Sequence, residues 1–119
     1  METLYNSDGQ AIAYVDDDRE YIYLYSGKPV AWISDDSVYA YSGRYLGWIQ
    51  NGWLYDRNGR PAFFTDKSSG GPARPARAAR PARGAKEARP ARGASDAIPA
   101  RPARSLSWSE LSDESYFSQ

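Results

Sequence analysis

Nine cations of this chain keep one three-residue frame. Arg74, Arg77, Arg80, Arg83, Lys86, Arg89 and Arg92 stand three apart, and Arg101 and Arg104 resume the frame after Ser95 and Ile98. Polyproline II has three residues per turn, so that conformation lines all nine along one edge. An α-helix would spread them round its axis, and Pro and Gly interrupt a helix here every few residues. A single edge of cations is chemistry for a polyanion: nucleic acid, anionic lipid headgroups or an acidic protein surface. The same residues also suit a solvating spacer grown by expansion of Pro-Ala-Arg triplets, six of which begin at Pro72, Pro75, Pro81, Pro90, Pro99 and Pro102. No recognition helix or zinc finger accompanies them, which argues against sequence-specific DNA reading.

Other chemistry is thin. The chain has no cysteine and no histidine. Zinc ribbons, haem ligation by His or Cys, thiol redox chemistry and His-based triads are therefore excluded. The serines have no histidine to activate them, and no Ser-x-x-Lys pattern exists. Asp16-Asp17-Asp18 and Asp35-Asp36 bring carboxylates together, but without calcium-loop spacing they read as turn residues. Ser68-Ser69-Gly70-Gly71 is a linker, since no Gly-Lys-Ser/Thr helix follows. No catalytic residue, metal ligand or cofactor is expected, and the chain does not read as an enzyme.

The aromatic residues offer one further site. Of the 17 in the chain, 14 lie in residues 1–65 and none between Ser68 and Ser105. Trp32, Trp48 and Trp53 with Tyr25 and Tyr41 are candidates for a stacking or cage site, although cross-strand packing accounts for most such residues. Charge is divided as sharply. Residues 1–65 carry nine acidic and five basic side chains, residues 70–104 carry two and nine, and residues 106–119 carry three and none. The formal net charge of zero hides this polarity.

These residues need elements to position them, and a repeat supplies them. Gly9, Gly27, Gly43 and Gly59 stand 18, 16 and 16 residues apart, each inside a similar motif. Two copies are Tyr25-Ser26-Gly27-Lys28-Pro29-Val30-Ala31-Trp32-Ile33 and Tyr41-Ser42-Gly43-Arg44-Tyr45-Leu46-Gly47-Trp48-Ile49. That period holds one hairpin and its connection. Period-two alternation flanks each turn, as strands require. Ser26-Gly27 and Ser42-Gly43 suit two-residue turns, and Asn6–Gly9 and Asp56–Gly59 suit four-residue loops. Across such turns Tyr23 would face Val30 and Tyr21 would face Trp32. In the third copy Leu46 would share a face with Tyr39, Tyr41 and Trp48. Both faces are apolar, so an open sheet with one wet side does not fit. Closure into a shallow pseudo-four-fold barrel removes the edges. Ala13, Ala31 and Gly47 would converge near its axis, with Phe63 departing from the rule.

The Y-(x)-SG-x-x-[VL]-[AG]-W-I cores at Tyr25–Ile33 and Tyr41–Ile49 resemble the four-fold β-flower family, small and mostly bacterial hairpin barrels. The resemblance covers Leu4 to Thr65 and extends to a Pro-Ala-Arg-rich tail ending in a Trp/Phe segment. It implies a fold comparable to the Tubby C-terminal domain, whose members bind phosphoinositides or scramble lipids. The Tubby barrel encloses an apolar helix, and this chain has no long one. Separately, Gly47-Trp48-Ile49-Gln50-Asn51-Gly52-Trp53-Leu54-Tyr55-Asp56-Arg57-Asn58-Gly59 looks like a choline-binding cell-wall repeat. That likeness implies an aromatic cage for a quaternary ammonium. Only this stretch fits, and no export signal precedes it.

Three segments follow. Residues 1–66 form the four-hairpin barrel, which at this size buries only about 60% of its unfolded surface. Residues 67–105 form the Pro-Ala-Arg arm, disordered or in polyproline II, burying nothing when free and reaching roughly 100 Å if extended. Residues 106–119 form an aromatic peptide. Its Ser107 and Glu110 make a capping box for a short helix. That helix is too short to persist alone. Trp108, Leu111, Tyr116 and Phe117 therefore seek a surface, either the barrel's own mouth or a protein partner. The N-terminus lacks a secretory pattern and no run of about 18 apolar residues exists, so a cytoplasmic location without a membrane span is expected. The expected job is binding or assembly through the arm on an anionic surface. The alternative is a barrel binding a lipid or quaternary ammonium, with the terminal peptide as plug. No oligomeric state follows from the residues.

Overall fold

The computed structural model describes residues 1–119. Eight strands follow in chain order: β1 (Glu2–Tyr5), β2 (Ala11–Val15), β3 (Tyr21–Leu24), β4 (Pro29–Ser34), β5 (Ser37–Tyr39), β6 (Tyr45–Gln50), β7 (Trp53–Asp56) and β8 (Pro61–Phe64). Each pairs antiparallel with the next, and Tyr5 of β1 meets Phe64 of β8 to close the barrel. The expected all-β closed barrel of four hairpins is the architecture found. The whole molecule is flattened, 37 × 36 × 22 Å along its principal axes.

The hairpin loops differ from expectation. In all four the glycine N–H donates to the residue three before it: Gly9 to Asn6 and Gly27 to Leu24 at 2.9 Å, Gly43 to Ala40 at 2.9 Å, Gly59 to Asp56 at 3.1 Å. Those acceptor residues each donate their own N–H to the residue after the glycine, at 2.9 Å in every hairpin. Every loop therefore has three residues, with the glycine at a φ of 80–98°. This is a type I turn closed by a left-handed residue, the common three-residue hairpin. The two-residue and four-residue loops predicted above are both corrected to it. Asn6 and Asp56 brace the outer two loops by accepting backbone N–H bonds through their side chains. Ser26 and Ser42 brace the inner two from within the loop. The side-chain chemistry differs while the backbone path is the same.

One bulge per hairpin follows. Register slips between Leu4 and Tyr5, Ile22 and Tyr23, Val38 and Tyr39, and Leu54 and Tyr55. Tyr23 therefore faces Pro29 rather than Val30, while Tyr21 does face Trp32. The extra residues, Ile12, Val30, Leu46 and Ala62, pack with the barrel interior. Leu46 is thus removed from the Trp48 face, because a bulge sets two residues against one and shifts the alternation.

The interior holds Leu4, Ala13, Val15, Ile22, Leu24, Ala31, Val38, Leu54 and Phe63. Tyrosines, tryptophans and Phe64 cover the outer face in three clusters. Residues 107–116 do not form the expected capped helix. A short 3-10 turn, Glu114–Ser118, begins instead at Asp113, whose carboxylate accepts from the Ser115 N–H at 2.8 Å. The barrel takes the preceding polar groups for itself. The Ser109 N–H donates to the Pro61 carbonyl at 2.8 Å, and the Ser112 hydroxyl donates to the Ala62 carbonyl at 2.7 Å. The Ser109 hydroxyl lies 2.6 Å from a carboxylate oxygen of buried Asp56.

Candidate functional site

The arm lies around the outside of the barrel and keeps time with its hairpins. Residues 72–107 divide into four nonapeptides: PARPARAAR from Pro72, PARGAKEAR from Pro81, PARGASDAI from Pro90 and PARPARSLS from Pro99. The seventh residue of each donates its N–H to a turn glycine carbonyl. Ala78 meets Gly9 at 2.9 Å, Glu87 meets Gly27 at 2.9 Å, Asp96 meets Gly43 at 2.8 Å and Ser105 meets Gly59 at 2.8 Å. The fifth residues, Ala76, Ala85, Ala94 and Ala103, set their carbonyls where a Cβ on those glycines would stand. Each glycine is thus required twice, for its positive φ and for the approach of the arm.

The fourth position of the nonapeptide reads the loop beneath it. Gly84 and Gly93 donate to the Tyr25 and Tyr41 carbonyls at 2.7 Å, and a Cβ on either would strike the Ser26 or Ser42 carbonyl. Over the outer two loops this position is Pro75 or Pro102. Proline has no N–H to give, and no such bond is made there.

The cations lie on aromatic rings. The guanidinium of Arg83 sits 5.2 Å from the Tyr14 ring centre, Arg92 4.4 Å from Trp32 and Arg101 5.2 Å from Trp48. All three are third in their nonapeptides, and all three rings lie five residues beyond a turn glycine. From the sixth position Arg77 covers Tyr5 at 5.8 Å and Lys86 covers Tyr23 at 4.9 Å. Those rings lie four residues before their glycines. Arg89 stacks on Tyr21 at 3.9 Å and donates to the Tyr23 hydroxyl at 3.2 Å. Arg74 bonds the Ser68 carbonyl, and Arg80 and Arg104 line clefts beside Tyr5 and Tyr55.

The arm has no regular secondary structure, and most of its residues remain exposed. Seated on the barrel, it nonetheless covers aromatic surface. Tyr14 and Trp48 beneath it are 1% exposed. Carboxylates have a smaller part than rings: Arg92 reaches Glu20 at 3.1 Å and Arg101 pairs with Asp36. Asp16 is buried and accepts from the N–H groups of Glu20 and Tyr21 at 3.3 Å. Asp17 pairs with the N-terminal ammonium, which holds its carboxyl below the usual range.

The five candidate cage residues do not converge. Trp32 stacks on Tyr39 at 4.5 Å, with Tyr41 beside that cluster. Trp48 stacks on Tyr55 at 5.2 Å. Trp53 packs edge-on against Trp108 at 5.5 Å and donates its ring N–H to the Ser69 carbonyl at 3.1 Å. Tyr25 shares a hydrogen bond with Thr3 at 2.7 Å. Burial pushes the Tyr41 hydroxyl up to about 12.

Inside the barrel, Tyr116 and Phe117 occupy one mouth. Tyr116 is fully buried and meets Phe63 edge-on at 5.6 Å, while Phe117 stacks on Phe63 at 5.7 Å. Leu111 packs against the same core, and Trp108 stays outside on Trp53 and Phe64. The peptide thus crosses the rim beside Ser7, whose N–H donates to the Ser112 hydroxyl at 2.8 Å. Phe63, the one bulky residue at the converging positions, has its bulk taken up by this peptide.

A closed barrel of four hairpins, strapped outside by its own nonapeptides and filled at one mouth by its own end, defines a self-wrapped hairpin-barrel class. The chain belongs to the family described as 4-fold beta flower protein, whose model matches residues 2–117. The match runs through the arm and into the terminal peptide. No curated protein and no solved structure matches the chain.

The nine-residue repeat was missed at the level of sequence because the finer triplet hides it. Its signal is the alternation Pro75, Gly84, Gly93, Pro102, which mirrors the outer, inner, inner, outer order of the loops.

Proposed function

We propose that the protein is a non-enzymatic binding module that presents a ring of cations to an anionic surface. The observation that carries this reading is the set of arm cations stacked on the barrel's outer rings. Arg77 and Arg83 stack without a carboxylate or hydroxyl partner, so their N–H edges stay available for a bidentate contact with phosphate or carboxylate. Stacking also restricts the long side chain before a partner arrives, so less entropy is lost on binding. The partner is nucleic acid, anionic lipid or an acidic protein surface. An anisotropy titration with a labelled single-stranded oligonucleotide and with anionic vesicles tests it. Binding should weaken as salt rises. Replacing Arg77 and Arg83 by Ala should reduce the salt slope. No binding to either probe in about 50 mM salt, where such contacts are strongest, overturns the reading.

A second reading is favoured by the mouth. Tyr116 and Phe117 fill an apolar seat with aromatic bulk, so a lipid tail or an aromatic ammonium ligand would compete with them. Such binding would survive salt and loss of the arm's charge. It would strengthen in Tyr116→Ala, and unchanged uptake of an apolar fluorophore by that variant would sink it.

A further inference from the structure

The arm shows what the outer face of the barrel recognises. Each seat is built from four parts: a glycine carbonyl at a loop, the open space above that glycine, an aromatic ring before it and another after it. Four seats of this kind surround the barrel, at Gly9, Gly27, Gly43 and Gly59. At all four the ligands are a backbone N–H and a closely approaching alanine carbonyl; cations cover both rings at Gly9 and Gly27 and Trp48 alone at Gly43. Nothing in these contacts requires that the nonapeptide belong to the same chain. The four repeats share Pro-Ala-Arg and the alanine at position five, and the four seats share the turn carbonyl and its flanking rings. Between its ends the arm is held by main-chain bonds, ring contacts, two exposed ion pairs and a few side-chain hydrogen bonds, among them the Tyr45 N–H to the Asp96 carboxylate at 3.0 Å.

We infer that the outer face is a receptor for extended Pro-Ala-Arg nonapeptides, and that its partner in trans is the arm of a second copy of this chain. Extended proline-rich peptides docking on aromatic grooves are a recurrent mode of recognition. Here the groove runs around a barrel, and turn carbonyls fix its register. The arm turns at Gly70, exposed, at positive φ and with open space around it, next to Gly71, which packs on the Trp53 ring. That turn lets the arm lie on its own barrel or cross to a neighbour. Within one chain the arm's high effective concentration favours its own seats, so exchange is expected where protein is concentrated. The inference does not depend on the polyanion reading, since it concerns the barrel's rings and turns rather than the cations' outward edges.

Two experiments on the full chain test it. In the first, Gly84→Val and Gly93→Val together block the cis arm at Ser26 and Ser42 and leave the seats unchanged. A labelled peptide of residues 81–98 should then bind saturably, about tenfold tighter than a peptide of the same composition in scrambled order. Equal binding of both peptides, or of neither by a variant whose near-ultraviolet circular dichroism is native, overturns the inference. The second needs no disruption of the arm and uses the absence of native cysteine. Ser26→Cys and Ala85→Cys are placed in separate copies, mixed at high concentration and oxidised. A covalent heterodimer should form in clear excess over the mixture of Ser26→Cys with Ala88→Cys. Equal yields, or no heterodimer, overturn it. A failed oligonucleotide titration would leave both results intact, so the two readings fail separately.

Discussion

The Tyr116 hydroxyl donates to the Tyr55 carbonyl at 2.9 Å and stands 2.5 Å from the place a Gly47 side chain would occupy. A residue of the terminal peptide thus completes the barrel where a hairpin gave up its side chain. Gly47 lies in β6 at a converging position and faces Asp56 across the ladder. The peptide is part of the core, joined to it by packing and by hydrogen bonds that include two buried ones, Tyr116 to Tyr55 and Ser109 to Asp56.

Tyr116→Ala should therefore destabilise the protein by roughly 3–5 kcal/mol, the scale for removing a buried aromatic. Tyr116→Phe should cost about 1 kcal/mol, from the lost hydrogen bond alone. Chemical denaturation of the three proteins measures both. A Tyr116→Ala protein as stable as the parent would remove the peptide from the core.

Alkaline stability should report the same residue. Burial holds the Tyr116 hydroxyl well above its ordinary range, and Tyr41 is raised to about 12. Both tyrosines then keep their protons in the folded state after the unfolded chain has lost them. Their contribution is complete below about pH 10 and is lost as pH rises through the folded values. The melting temperature should fall above pH 10, and less steeply in Tyr116→Phe. A slope unaltered by that substitution would contradict the assignment.

The barrel without arm and peptide, residues 1–66, should retain β-structure but melt below the full chain. Its fourteen-residue partner, 106–119, added as a separate peptide, should raise the melting temperature. Far-ultraviolet circular dichroism with thermal melts checks this. A fragment as stable as the full chain would show that Tyr116 and Phe117 contribute nothing.

Gly27→Val should destabilise by roughly 1–3 kcal/mol through backbone strain, since the residue stands at φ 98°. It should also lift the arm locally, because its Cβ meets the Ala85 carbonyl. Hydrogen exchange at the Gly84 and Glu87 amides should rise with the loss of stability. Protection there unchanged from the parent would place the arm elsewhere.

The arm should stay seated in salt. Exposed pairs such as Arg101–Asp36 are worth only about 0–1 kcal/mol each, and main-chain bonds and rings supply most of the hold. Asp36→Asn should change stability by less than about 1 kcal/mol. Tryptophan emission should be little altered in 1 M salt. A large shift to the red would mean that charge pairs, not rings, hold the arm.

Much of the barrel was legible in the sequence, because glycine period and strand alternation act over a few residues. Tyr21 opposite Trp32 follows from that alone. Loop length was not, since Ser26-Gly27 suits two-residue and three-residue hairpins equally, and only the bulge at Val30 decides. The helix expected at Ser107 failed because its capping groups ignore tertiary competition, and Ser109 and Ser112 are claimed by β8. The belt was half legible. The triplet of cations was plain, but its ligands are rings dispersed over five strands, and no local pattern ties Arg92 to Trp32 or Arg101 to Trp48.

Four like seats and four like repeats carry a consequence for how the chain finds its native arrangement. A strap advanced by one nonapeptide would still meet three turn carbonyls out of four and would lose one inner-loop bond where a proline replaces Gly84 or Gly93, so wrapping alone separates neighbouring alignments by little. Phe63 breaks that degeneracy. It replaces the small residue of the other hairpins, stands beside the vacancy at Gly47, and accepts Tyr116 and Phe117 at one angular position only. The terminal aromatics act as an index mark on a dial: they count the repeats, and a chain one repeat longer or shorter would have to leave either a seat or the mouth unfilled.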